Sequence, residues 1–379
     1  MSKVLRILLV EDDEAQIDSF NDAVNAWNVA NAANERKFNY QVAGNVTEAE
    51  SLIQGSRIDC ALIDIRIPAS KEEKPKHLNG NQIINSLLLE RGLPIGVISA
   101  NMSELEPEIA DKQHVRQFDK GDENTAENAV CWLAENWSMM EVLDLVRHRM
   151  EQAGAEIFGK RLWPQWNSLP VTDPKQTAEI VARQYASHLV DKLGLEHPEN
   201  IEWHPYEAYV SPSFHEMRAH TGDIFQLEEG HLWIVVSPQC DMATQKIPNA
   251  ILCICEPGID GWDGQLNKAQ DVAKEEKRNK ALDWIRKKTN QEMPVSKHFL
   301  PPLPGNFDPL VVNFSAVRTM SLEDLNKAEN LNRRKASVSS PFLANVAQRF
   351  GAYISRTGQP NIDPATFSPT PKEEPAEGK

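Results

Sequence analysis

Four strand-like segments, three of them largely apolar runs, lie far apart in the chain and each ends on a polar group. Val4–Val10 is followed by Glu11, Asp12 and Asp13, and Cys60–Ile63 by Asp64. Ile95–Ile98 is followed by Ser99, and Val115–Asp119 by Lys120. Clustered carboxylates beside buried apolar residues are costly unless a cation offsets them. A hard divalent ion with oxygen ligands does so, and Mg²⁺ takes one or two carboxylates together with water and phosphate. The plainer reading is that the acids open the next helix, where negative charge suits the N-terminal dipole. Taken together, the groups suit phosphoryl transfer onto a carboxylate. Asp64 is then the nucleophile, and Mg²⁺ held by Asp12, Asp64 and a backbone carbonyl neutralises phosphoryl oxygens. Lys120 pairs with the phosphoryl group as a point charge. Ser99 hydrogen-bonds the group once it is attached, which gives a switch its local driving force.

These groups share a site only if the runs are neighbouring parallel strands. Continuous apolar runs of this length are how strands covered on both faces read. Between them, helices are expected at about 14–33, 46–53, 79–90, 103–112 and 122–136, the second opened by a Thr47 cap signature. Pro68 to Leu78 is polar and longer than the usual connection. With a further strand expected near 38–44, five strands alternating with five helices predict a flavodoxin-like, five-stranded, doubly wound parallel sheet. In such sheets ligands bind at the carboxyl ends of the strands, where all four polar groups would lie.

With those pieces in order, residues 1–136 resemble the receiver domain of two-component response regulators. The motifs are Ile7-Leu8-Leu9-Val10-Glu11-Asp12-Asp13, Leu62-Ile63-Asp64-Ile65-Arg66-Ile67-Pro68, Ile98-Ser99-Ala100 and Asp119-Lys120. The resemblance implies that Glu11 and Asp12 are the acidic pair, Asp64 the phosphoacceptor, Ser99 the switch hydroxyl and Lys120 the family's lysine. It also implies that the carbonyl of Arg66 is a main-chain ligand of Mg²⁺. A phosphorelay partner follows, either a sensor histidine kinase or a phosphotransfer protein. Three features depart from the family. Gly121 stands where a proline is usual, Gln117 stands where the aromatic switch residue is usual, and the loop after Pro68 is long. The alternatives are a receiver that docks without being phosphorylated and a receiver that regulates an effector enzyme, for example nuclease-like.

Beyond the receiver, Met139, Val142, Val146, Met150, Ala153 and Ile157 recur at helical spacing. The stripe suits either a homodimer, formed through this linker helix or the receiver, or a helix packed on its own receiver. We expect a helical linker over 137–170, an α+β output domain with a small antiparallel sheet or barrel over 171–356, and a disordered Pro- and Glu-rich tail over 357–379. About thirty residues around Gly222-Asp223-Ile224 and Trp233–Pro238 are similar to PemK-type small β-barrels, without the Arg-Pro pair expected there. A zinc site would draw on Cys240, Cys253, Cys255 and His215 or His220, at a spacing unlike that of zinc fingers. Cys253 and Cys255 alternate with Leu252 and Ile254 and read as core thiols. Cys240 as a nucleophile needs a base, for which His215, His220 and His231 are available. Residues 264–290 read as one charged helix with a solvated face.

The chain has 379 residues, 41% of them apolar, and a formal charge of −15. That charge argues against an extended nucleic-acid surface, and no helix-turn-helix pattern is present, so nucleic acid is not an expected partner. No apolar run approaches the roughly 18 residues of a membrane span. Five cysteines without a secretory leader suggest free thiols in a reducing cytoplasm.

Overall fold

A computed structural model describes residues 3–168, 173–195, 203–213, 217–228 and 230–367. The chain divides into two compact units, Met1–Pro198 and Glu199–Lys379.

In the first unit five strands run parallel: β1 (Lys3–Val10), β2 (Arg36–Ala43), β3 (Cys60–Asp64), β4 (Ile95–Ser99) and β5 (Val115–Asp119). Their order is β2-β1-β3-β4-β5. This is the flavodoxin-like arrangement expected from the runs, with its switch point between β1 and β3. Between the strands lie α1 (Glu14–Ala30), α2 (Val46–Gly55), α3 (His77–Glu90), α4 (Pro107–Ala110) and α5 (Thr125–Glu135). Two apolar clusters, one on each face, explain why the central strands lack polar alternation. Val10, Ile63, Ile83, Leu87 and Val97 belong to one, and Leu9, Phe20, Leu62, Phe118 and Val130 to the other. All five residues of β3 are buried.

Local details differ from the sequence expectation. The cap of α2 is Asn45, whose side chain accepts from Glu48 N, and not Thr47. Thr47 instead bonds the long loop, its hydroxyl donating to Ala69 O at 3.1 Å, while Val46 N donates to Pro68 O at 3.1 Å. The extra loop residues thus supply acceptors for amides that a helix start leaves unpaired. The helix expected over 103–112 is one turn long, because Pro107 starts it only after a separate turn at Met102–Glu104.

Helix α6 (Trp137–Ile157) follows α5 almost without a break. Its apolar stripe is split. Trp137 and Met140 are buried, and Trp137 stacks on Trp27 at 5.5 Å. Ion pairs Lys3–Glu141 (2.7 Å), Arg57–Asp144 (2.6 Å) and Arg147–Asp59 (3.2 Å) fix the same side to the receiver. Met139, Val142, Val146 and Met150 remain exposed, whereas Ala153 and Ile157 are buried. A π-turn at Phe158–Leu162 and the short α7 (Trp163–Gln165) follow. Next comes α8 (Pro174–Leu195), whose Tyr185 hydroxyl occupies the space a Cβ on Gly154 would need. That close packing places α8 with α6 in the first unit.

The second unit is built on a seven-stranded, wholly antiparallel sheet. Its strands are β6 (Tyr209–Val210), β7 (Asp223–Glu228), β8 (His231–Val235), β9 (Asn249–Pro257), β10 (Lys297–Leu300), β11 (Leu310–Ser321) and β12 (Arg334–Val338). The order is β10-β11-β9-β8-β7-β12-β6. Helices α9 (Gln239–Thr244), α10 (Trp262–Gln270), α11 (Glu275–Thr289), α12 (Leu322–Leu325), α13 (Ala328–Leu331) and α14 (Ser340–Ile354) complete it. The charged segment expected as one helix is therefore two, α10 and α11. Cys253 and Cys255 share a core with Ile234, Val312 and Phe350. Burial pushes the Cys253 thiol up to about 12 and Cys255 further in the same direction, so both are neutral. Of the tail, residues 368–379 lie outside the described residues.

His298 is 2% exposed, and its Nδ1 has no hydrogen-bond partner. Burial, helped by the charge of Arg349, pushes its pKa down to about 3. The unfolded chain therefore binds a proton that the folded chain refuses between about pH 6.5 and that value. Stability from this group is full above the unfolded pKa and is lost as pH falls. Going from neutral to about pH 4.5 is expected to cost the second unit roughly 2–3 kcal/mol. Urea melts should show His298→Phe with a shallower pH dependence than wild type; an equal slope would count against the assignment.

Candidate functional site

The site lies at the carboxyl edge of the parallel sheet, at the switch point. Glu11 N donates to Ala43 O at 3.0 Å, so the β1–β2 ladder runs one residue past the strand and turns the Glu11 side chain inward. Glu11 is 4% exposed and Asp64 is 7% exposed, while Asp12 faces solvent. Oxygen atoms of the three carboxylates lie within 4.8 Å of one another. Asp13 does not join them. Its Oδ1 accepts from Ala15 N at 2.9 Å and caps α1, so the helix-start reading holds for this one acid.

Lys120 is the internal counter-charge. Its Nζ stands 2.7 Å from Glu11 Oε2 and 2.8 Å from Asp64 Oδ2. The other Asp64 oxygen accepts from Arg66 N at 3.1 Å. Burial holds the Glu11 carboxyl above its ordinary range despite the Lys120 contact, and it raises Asp12 in the same way, with the Asp64 charge adding to it. Burial alone would depress Lys120, but its bonds to Asp64 and Glu11 outweigh it and leave the ammonium raised. An oxygen-only donor set with surplus negative charge fits a hard divalent cation and not a soft one.

Ser99 is buried on the neighbouring strand, where its Oγ accepts from Asn101 N at 3.2 Å. Its carbonyl accepts from Lys120 N at 3.1 Å, which ties the β4 and β5 ends together. Glu11, Asp12, Asp64 and Lys120 thus meet directly, and Ser99 stands beside them, bonded to its own loop. Gln117 is exposed on the edge strand, and Gly121 N donates to Asp119 Oδ1 at 2.8 Å.

Residues unmarked by the motif reading hold the site in place. Gly80 lets α3 approach β3: a Cβ there would lie 2.5 Å from the main-chain oxygens of Asp64 and Ile65. Asn79 Nδ2 donates to Ile67 O at 2.8 Å, and Asn81 Nδ2 to Glu104 O at 2.9 Å. The signal was legible as Asn-Gly-Asn at the start of a helix, three poor helix formers in succession.

In the second unit Cys240 is exposed at the start of α9, its Sγ 3.7 Å from Asp241 Oδ1. His220 Nε2 accepts from Arg218 Nε at 3.1 Å, His231 is on the surface, and His215 lies outside the described residues. Among the described residues, the carboxylates of Glu11, Asp12 and Asp64 are the cluster that could hold a metal ion.

No protein-family model and no curated protein matches the chain. Among solved structures it is similar to a CheY-like response regulator receiver domain from Methylobacillus flagellatus. Identity is 15% over 34% of this chain and 98% of that one, with a TM-score of 0.27. It is also similar to a CheY-like receiver domain protein from Methanospirillum hungatei JF-1, at 16% identity over 37% and 98%, with a TM-score of 0.28. A Francisella response regulator receiver domain stands at 16%, 36% and 98%, with a TM-score of 0.28. Likenesses this distant leave the strand order and the site residues to carry any functional reading. No described helix is long and apolar enough to cross a membrane.

Proposed function

We propose that residues 1–136 are a response-regulator receiver domain in which Asp64 accepts a phosphoryl group from a histidine kinase or phosphotransfer protein. The observation that carries this reading is Lys120 bridging Glu11 and Asp64 inside a three-carboxylate cluster at the switch point. An Asp64 oxygen attacks phosphorus and an O–P bond forms. The bond from phosphorus to the donor imidazole breaks, its electron pair stays on that ring nitrogen, and, with a proton carried by the other ring nitrogen, the donor histidine is left neutral. Lys120 is placed to keep contact with the phosphoryl oxygens as charge shifts onto them. Ser99 is the hydroxyl that reports attachment. The carboxylates of Glu11, Asp12 and Asp64 with the carbonyl of Arg66 would hold Mg²⁺, which neutralises phosphoryl charge when bound. Residues 137–170 with α8 serve as the helical linker on the first unit, and the output domain, expected over 171–356, has its sheet in the second unit and acts through protein contacts. The exposed stripe Met139, Val142, Val146 and Met150 suits a homodimer through α6.

Full-length protein treated with acetyl phosphate and Mg²⁺ is expected to give one retarded band on a phosphate-affinity gel, and Asp64→Asn none. If wild type gains no label while a known receiver in the same buffer does, the acceptor assignment fails and a docking module is left.

A further inference from the structure

The loop after Ser99 is clamped to the opposite side of the site. Arg66, two residues past Asp64, forms a two-pronged ion pair with Glu104, five residues past Ser99. Nε donates to Oε2 at 2.7 Å, and Nη2 contacts Oε1. Behind the pair, Asn81 is 2% exposed. Its Nδ2 holds Glu104 O at 2.9 Å, and its Oδ1 accepts from Glu106 N at 3.4 Å. Asn85 Nδ2 donates to Glu106 Oε2 at 3.0 Å. The segment between Ser99 and α4 is therefore tied to β3 and α3 by two side-chain carboxylates and two main-chain groups. The same segment supplies Asn101 N, the group that Ser99 Oγ bonds here. For Ser99 to turn onto a group attached at Asp64, its Oγ must leave Asn101 N, and every tie holds the segment that carries this amide in place. On the β5 side the tie is to the Ser99 main chain, from Lys120 N at 3.1 Å, while Gln117 is exposed and α4 is a single turn.

We propose that the Arg66–Glu104 clasp, backed by Asn81, restrains Ser99 from the acyl-phosphate and so sets the balance between the resting and loaded arrangements. This rests on the reading of Asp64 as acceptor. Arg66 and Glu104 are positioning residues, acting through the Ser99 loop. The pair stabilises the resting arrangement, so its removal favours whatever binds the other one.

The test uses full-length protein with beryllofluoride and Mg²⁺ as the phosphoryl mimic, titrated calorimetrically. Glu104→Gln, which keeps the Asn81 bond to the main chain, is expected to bind about two- to fivefold more tightly than wild type, the range for a partly exposed ion pair. Arg66→Gln should give the same gain, and the double variant no more than either. In a Ser99→Ala background the gain should vanish, which a merely structural clasp would not require. Amides at 101–106 should exchange faster in Glu104→Gln without ligand. Unchanged or weaker binding in folded Glu104→Gln and Arg66→Gln overturns the clasp, as does a gain that survives Ser99→Ala. Wild type that shows no Asp64-dependent binding sinks the acceptor reading, and the clasp with it.

Discussion

Lys120→Met is expected to destabilise the first unit by about 3 kcal/mol near neutral pH and to slow acetyl-phosphate labelling about a hundredfold. Lys120 is the cation in contact with both Glu11 and Asp64, and its side chain is 15% exposed against 5% and 9% for theirs. Removing one partner of a buried pair leaves the other charge uncompensated, and here two are left. The partial exposure of Lys120 puts the effect at the low end of the range for buried pairs. Excess Mg²⁺ should restore much of the loss, because a divalent cation at the carboxylates replaces the missing charge. The pH dependence has a fixed sign. Burial already holds Glu11 and Asp12 above their ordinary range, so the folded state binds more protons there than the unfolded state. Stability from such groups is present below the unfolded pKa and is lost as pH rises. Without Lys120 both shift further up, so the variant should lose more stability than wild type as pH rises above the ordinary carboxylate range. Hydrogen exchange at the β3 amides, with chelator and with Mg²⁺, reads this out within the first unit. Equal protection in wild type and variant, with no Mg²⁺ rescue, would falsify the counter-charge role.

The first unit was legible because its central strands β3 and β4 are buried on both faces. Burial removes polar alternation, so Cys60–Ile63 and Ile95–Ile98 stand out as runs, and parallel connections bring their polar ends to one edge. Periodicity could place a stripe on α6 but not say what covers it. The answer depends on Trp27, Asp59 and Tyr185, remote in sequence, and the stripe is divided between two environments. Pro238 stands just after the run of β8, and Gln239–Thr244 coils into α9 from it. In the second unit, β12 pairs with β7 and β6 across more than a hundred residues. Asp223 is fully buried with Arg334 2.9 Å away, and its carboxylate also accepts from His220 N at 2.8 Å and from the Ser337 hydroxyl. Pairings of that range leave no local pattern. The Arg66–Glu104 clasp escaped for the same reason, as neither residue belongs to a run.

Gly80→Ala tests whether the helix beside the acceptor strand, and not the acidic motif alone, makes the site. In an exposed helix interior the substitution stabilises by about 1 kcal/mol through propensity. At position 80 the sign should reverse. The new Cβ would lie 2.5 Å from Asp64 O, Ile65 Cα and Ile65 O, all main-chain atoms, which cannot swing aside as a side-chain tip can. Relief requires α3 to lift or the end of β3 to shift. Overpacking of this kind costs about 1–3 kcal/mol, enough to overcome the propensity gain. Gly55→Ala is the matched control: it sits at the end of α2 with open space around its Cβ and should be neutral or slightly stabilising. Where the end of β3 gives way, Asp64 moves relative to Lys120 while both residues remain. Displacement of reacting groups by about 1 Å can lower rates by about a hundredfold. Gly80→Ala should therefore label far more slowly than its folded fraction accounts for, under conditions where circular dichroism shows the fold intact. Labelling that merely tracks the folded fraction would mean that the Asp64–Lys120 geometry tolerates movement of β3, and that the close approach at Gly80 serves packing alone.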